Sequence, residues 1–183
     1  MTRLAPLPPE AMNEAQRRIV AEITAGPRGG VYGPLLAWLR SPELCDRGQR
    51  LGEFCRYNSS LPPKLSELVI LVTARHWRAQ FEWYAHAPIA LEAGLPAAAI
   101  EAIRNRETPK LDDPDQALVY RFASEYYATH RVGDALYAAA VERLGERAVV
   151  DLVGIMGYYG LIAMTLNVFE IPLPEGEPEP LAP

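Results

Sequence analysis

The chain has 183 residues, is 49% hydrophobic and carries 23 acidic against 18 basic side chains, for a formal charge of -5. That length suits one domain with a sizeable core and leaves little room for two large ones. The charges are scattered, with no lysine- or arginine-rich block to neutralise phosphates, so nucleic acid is excluded as the expected partner.

The opening MTRLAPLPPEAMNEAQRR lacks the continuous apolar core of a signal peptide, so export is not expected and a cytoplasmic location is. Punctuation by proline, glycine and capping residues then divides the sequence into helices, and no stretch sustains strand alternation, which makes the fold class all-α. A first helix is predicted over Glu10–Ala25, ending at Gly26-Pro27, with a loop over Arg28–Gly33. Pro34 opens a short helix to Arg40, and Ser41-Pro42 supplies a cap and a first-turn proline for a helix reaching Tyr57.

Cys45 and Cys55, the only cysteines, fall in that helix. At about 1.5 Å per residue they lie roughly 15 Å apart, beyond disulfide reach, so they read as free thiols. Neither belongs to a Cys-x-x-Cys pair, the usual sequence sign of a redox dithiol or a zinc site.

After the turn Asn58–Pro63, an apolar helix is predicted over Leu65–Trp77 and another over Gln80–Ala93, stopped by Gly94 and Pro96. Shorter helices follow over Ala97–Asn105, from the Asp112-Asp113-Pro114 cap to His130, and from Gly133-Asp134 to Gly145. The last helix, Glu146–Phe169, is apolar around most of its circumference, which predicts burial on several sides and a homo-oligomer. Asp151, Asn167 and three glycines interrupt it, against the ~20-residue uninterrupted apolar span of a membrane helix, so no membrane partner is expected. Gly154, Gly157 and Gly160 form a small-residue stripe that fits either internal packing or a subunit contact. Residues 1–170 read as one domain, and residues 171–183, rich in proline and glutamate, as a surface-bound or disordered extension.

Chemistry-bearing residues concentrate in LSELVILVTARHWRAQFEWYAHAPIALEAG, residues 65–94. Glu82 and His86 are four apart, so a helix sets them on one face, where a carboxylate orients an imidazole and the pair exchanges protons near neutral pH. Phe81, Trp83 and Tyr84 offer aromatic area to exclude water around them. The same spacing also fits a solvated helix face, and Glu67 in a first helical turn also fits simple complementation of the helix dipole. His76 reads as a capped or solvated side chain and His130 as a helix-terminal cation. Tyr57, Tyr158 and Tyr159 fit either a pocket wall or plain core.

The segments SSLPPKLSELVILVTAR, FEWYAHAPIALEAGL and GYYGLIAMTLNVF, in that order over almost the whole chain, resemble the carboxymuconolactone decarboxylase and AhpD-like superfamily. The similarity is greatest to its branch with Glu-Trp in place of cysteines. The resemblance implies an AhpD-like orthogonal helical bundle that assembles as a dimer, trimer or hexamer. In the peroxidase branch a glutamate precedes a histidine by nineteen residues, with cysteines seven and four residues before that histidine. Glu67 and His86 match the outer positions here, while Ala79 and Glu82 occupy the cysteine positions. Dithiol peroxide reduction needs an attacking and a resolving thiol, so that activity is not implied. The decarboxylase branch implies cofactor-independent acid-base chemistry on a small carboxylated lactone or related acid. His86 is then the proton donor or shuttle, Glu82 its orienting partner, and Glu67 a second carboxylate. Other readings are a residual oxidoreductase through Cys45 or Cys55, and a non-catalytic oligomeric binding protein.

No cofactor is expected, and the histidines have no metal-site spacing, although Glu67, Glu82 and His86 together offer a weak divalent site. The proposal has a geometric condition. In one straight helix Glu67 and Glu82 would lie about 22 Å apart. A bend is therefore required, and no glycine or proline stands between Thr73 and Gln80 to mark it. Pro88 is expected to disturb the helix just beyond His86.

Overall fold

Proline at the first helical turn has a preset φ and lacks only an N–H that no helix would use there, and four of the described α-helices begin that way. The computed structural model describes residues 2–182, among which all regular structure is helical. The α-helices are α1 Glu14–Ala25, α2 Pro34–Trp38, α3 Pro42–Glu53, α4 Pro63–Trp77, α5 Gln80–Glu92, α6 Ala97–Arg104, α7 Pro114–Thr129, α8 Asp134–Leu144 and α9 Glu146–Val168. Prolines open α2, α3, α4 and α7.

Several boundaries depart from the sequence expectation for identifiable reasons. The first helix starts at Glu14 rather than Glu10 because Asn13 and Gln16 form a reciprocal capping box that fixes the N-terminus. Ser41 makes no side-chain capping bond, so Pro42 alone marks the start of α3. That helix does not run unbroken to Tyr57: from Phe54 to Asn58 it widens into a π turn, a rare form that recurs at functional sites. Pro88 does not end α5, which continues to Glu92; its missing N–H deprives only the carbonyl one turn back of a donor.

The core is organised around α4, which is buried from Leu65 to Arg75 and packs most extensively on α9, α5 and α7. Polar ties hold α9 to the elements around it. Asp151 accepts hydrogen bonds from the Ser60 backbone N–H (2.8 Å) and hydroxyl (2.6 Å), and the Trp38 indole donates to Thr165 Oγ1 at 2.9 Å. The span Glu146–Val168 is long and apolar enough to cross a membrane, yet most of it is buried inside the fold as a core helix. Its outer side leaves Val150, Val153, Met164 and Val168 exposed. Gly154 and Gly157 have no neighbour within 4 Å of where a Cβ would stand, so close internal packing is not their role within this chain.

The residues after α9 run along the surface and are pinned near their end. Leu181 is buried, exchanges two backbone–side-chain hydrogen bonds with Gln80 at the start of α5, and follows Pro180, whose carbonyl accepts from Arg104 Nε.

The bend between α4 and α5 is made without glycine. Arg78 takes the left-handed conformation (φ 52°, ψ 39°), while the Ala79 N–H reaches back to the Ala74 carbonyl at 2.9 Å, a Schellman closure. Ala79 is extended, and α5 sets off in a new direction from Gln80. A non-glycine residue in this region is strained by about 1–2 kcal/mol. Arg78→Gly is therefore expected to raise the unfolding free energy by about 1 kcal/mol, read as a higher urea midpoint at unchanged m-value. A lower midpoint would mean that the Arg78 side chain contributes more than its backbone loses.

Candidate active site

With the chain turned back at Arg78, the first turns of α4 and the middle of α5 lie side by side. Glu67 Oε2 and His86 Nδ1 meet at 2.7 Å, both nearly inaccessible to solvent. The imidazole partner is thus Glu67, nineteen residues away, and not Glu82 one turn away on the same helix, as the spacing had suggested. Glu67 engages Nδ1, which leaves Nε2 as the nitrogen free for chemistry. The Tyr159 ring stands edge-on to the imidazole at 5.0 Å and fixes its plane further.

Glu82 is 2% exposed, and neither carboxyl oxygen has a hydrogen-bond partner. Burial pushes its pKa well above the usual carboxylate range, so its neutral form is favoured. Glu82 and His86 both line a cavity of about 240 Å³, which is small beside the ~300–1,000 Å³ of pockets for drug-sized ligands. Apolar walls come from Phe81, Leu35, Ile162 and Leu166. Of the three aromatics flagged beside Glu82, only Phe81 lines this cavity, and Trp83 is core. Tyr158 and Tyr159 do line it, whereas Tyr57 is exposed. Burial raises the Tyr158 phenol to about 12, against the pull of Arg28, and puts Tyr159 well above its ordinary value, so both are neutral hydrogen-bonding groups at physiological pH.

Two arginines complete the cavity, and both escaped the sequence reading. Arg28 comes from the loop between α1 and α2, and Arg56 from the π turn. Arg28 Nε and Nη2 are buried without a hydrogen-bond partner. A Cβ on Gly52 would overlap both the Tyr158 hydroxyl and Arg28 Nη2, so the bare Cα of Gly52 is what lets the two heads converge. The one available signal was the setting of Arg28 in GPRGGVYGP, a glycine-rich loop able to bring a backbone close to a ligand.

The remaining candidates fall elsewhere. Cys45 and Cys55 are fully buried, and burial raises both thiols to about 11, which suppresses the thiolate a peroxidatic cysteine requires. Among the described residues no three His, Cys, Asp or Glu side chains stand in a metal-ligating arrangement. His76 is exposed and stacks on Tyr127, and His130 takes a left-handed conformation at the end of α7.

Solved structures that share this architecture over nearly the whole chain include two from bacteria. One is the alkylhydroperoxidase AhpD core of an uncharacterized peroxidase-related protein from Ralstonia eutropha JMP134 (TM-score 0.76, 16% identity, covering 95% of this chain and 93% of that one). The chain has the AhpD-like fold. The other is an uncharacterized peroxidase-related protein from Silicibacter sp. TM1040 (TM-score 0.70, 15% identity, covering 93% and 87%). No protein-family model and no curated protein matches the sequence. On this AhpD-like fold, the positions the resemblance assigns to a dithiol hold Ala79, which is buried, and Glu82, whose carboxyl lines the cavity.

Proposed function

We propose that this protein is a cofactor-independent lyase that removes carbon dioxide from a small carboxylated lactone or related acid. The observation that carries the reading is the buried Glu67–His86 pair opening on a small cavity that also holds Glu82 and the unpartnered guanidinium atoms of Arg28. A carboxylate substrate would pair with Arg28 and Arg56, which fit a planar anion.

Cleavage of the bond to the carboxylate carbon releases carbon dioxide and leaves its electron pair on the substrate carbon, from which it delocalises into a conjugated carbonyl. The neutral Glu82 carboxyl donates a hydrogen bond to the developing oxyanion. His86, protonated at Nε2 and held by Glu67, then delivers a proton to carbon and regains one from water. Apolar walls strengthen each of these interactions by excluding solvent.

The thiol-based alternative has less support, since the two cysteines are buried and their thiols are held protonated. The deciding experiment follows carbon dioxide release from a panel of small carboxylated lactones with wild type, His86→Ala and Arg28→Met. Turnover lost with His86 and a raised KM in Arg28→Met are expected. Turnover untouched by His86→Ala would remove the imidazole from the mechanism and the proposal with it.

A further inference from the structure

A second unpaired cation lies outside this site. Arg75 is in the last turn of α4, where a positive charge complements the helix dipole, but the dipole does not require burial. Arg75 is only 7% exposed, and its Nε and Nη1 are enclosed without a hydrogen-bond partner. Burial together with the neighbouring charges of Arg106 and Arg78 works against its protonated form. A guanidinium nevertheless stays charged in proteins, so the fold holds an uncompensated buried cation, which is strongly destabilising unless something pairs with it.

Arg75 opens on a cavity of about 480 Å³ that shares no lining residue with the one around His86. Arg106 faces it from the end of α6, where a left-handed backbone (φ 63°) and a Schellman bond from the Glu107 N–H to the Ala102 carbonyl (2.8 Å) fix its position. The opposite wall is also set: His76 stacks on Tyr127 at 4.3 Å, and the Tyr127 hydroxyl meets Thr73 Oγ1 at 2.8 Å. Glu107 is the one carboxylate on the lining.

We infer that this cavity is an oxyanion-binding site in which the carboxylate or phosphate group of a small molecule pairs with the buried guanidinium of Arg75, with Arg106 as the second cation. The site is independent of the lyase reading. A fixed planar fork suits bidentate capture of such a group.

Thermal unfolding of the full chain, titrated with inorganic phosphate or acetate at ionic strength held constant with sodium chloride, tests the inference. Wild type is expected to show a saturable rise in Tm with at least one of the two anions. The anion with the lower apparent Kd identifies the group the site prefers. In an Arg28→Met background, where the anion-pairing arginine of the other cavity is gone, Arg75→Met should lose the response; in chloride alone Arg75→Met should be no less stable than wild type, because it lacks the unpaired charge. Arg28→Met, which alters only the other cavity, should keep the response. An equal rise in Arg28→Met and in the double variant would reduce the effect to general salt stabilisation, and a flat wild-type response to both anions would also overturn the site. So would a dependence of wild-type stability on protein concentration in anion-free buffer that Arg75→Met lacks, since a second copy would then supply the counter-charge. Should Arg75→Met fail to fold, Arg106→Gln is expected to weaken the apparent Kd about tenfold, and an unchanged Kd would count against the inference.

Discussion

Glu67→Gln is expected to lower kcat at neutral pH by about 10²–10⁴-fold with little change in KM. Glu67 touches His86 and does not line the cavity, so it acts as a positioning residue through the imidazole. As a carboxylate it accepts the Nδ1 proton, which commits Nε2 to the chemistry and stabilises the imidazolium when that nitrogen is protonated. Glutamine has the same shape but can present its NH2 to Nδ1, which leaves a neutral imidazole whose Nε2–H is a far weaker acid than the imidazolium a carboxylate supports. A packing role alone is met by the isosteric amide and leaves kcat in place, whereas loss of the carboxylate should depress kcat across the whole pH–rate profile. Steady-state rates over a pH series separate the two. A variant with wild-type kcat and an unmoved profile would show that the Glu67–His86 contact serves the fold and not the reaction.

The sequence reading and the structure part company at instructive places. Helix starts were legible at Pro34, Pro42 and Pro114, because the effect of a first-turn proline on φ is local, whereas Pro63, the second of two adjacent prolines, read as part of the turn before α4. The stop after α5 was legible for the same reason: Gly94 takes the left-handed conformation that ends a helix (φ 96°). The decisive bend was not, because there the left-handed residue is Arg78, and nothing in an arginine announces positive φ. Arg106 and Glu170 close α6 and α9 in the same manner, so this chain repeatedly places ordinary residues where glycine is the visible signal.

At the site, the spacing of Glu82 and His86 correctly put both side chains on one face of α5 and over one cavity. It misassigned the hydrogen bond, since two groups on one face need not choose each other when another helix offers a closer carboxylate. Arg28 and Arg56 carried no periodic or motif signal. They reach the cavity only because a glycine-rich loop and a π turn, both outside regular helix geometry, aim them there, and because Gly52 leaves room.

Glu82→Gln should make the protein more stable and less active at once, a combination that marks a group kept for chemistry at the expense of the fold. Burial raises the Glu82 pKa above its ordinary value near 4.5, so over the interval between the unfolded and folded values the native state retains a proton that the unfolded chain has released. Wild type therefore loses stability as pH rises from about 4.5, by up to about 1.4 kcal/mol per pH unit, and the loss levels off above the folded pKa. Glutamine has no proton to lose and escapes that penalty, while its amide sits in the same unpartnered environment as the neutral acid. The two proteins should accordingly unfold with similar free energies below pH 4.5 and diverge above it, with the variant the more stable at pH 7. Urea denaturation across pH 4 to 8 measures the divergence, and parallel curves would mean that the Glu82 carboxyl is solvated or paired in solution. Turnover should fall in the variant, because an amide is a far weaker acid than the neutral carboxyl and supports a developing oxyanion less well. Since wild type favours the neutral acid only below the folded pKa, its own kcat is expected to decline as pH passes that point. A stability gain with full activity would leave Glu82 without a role in the reaction and the developing oxyanion to be supported by other donors of the cavity.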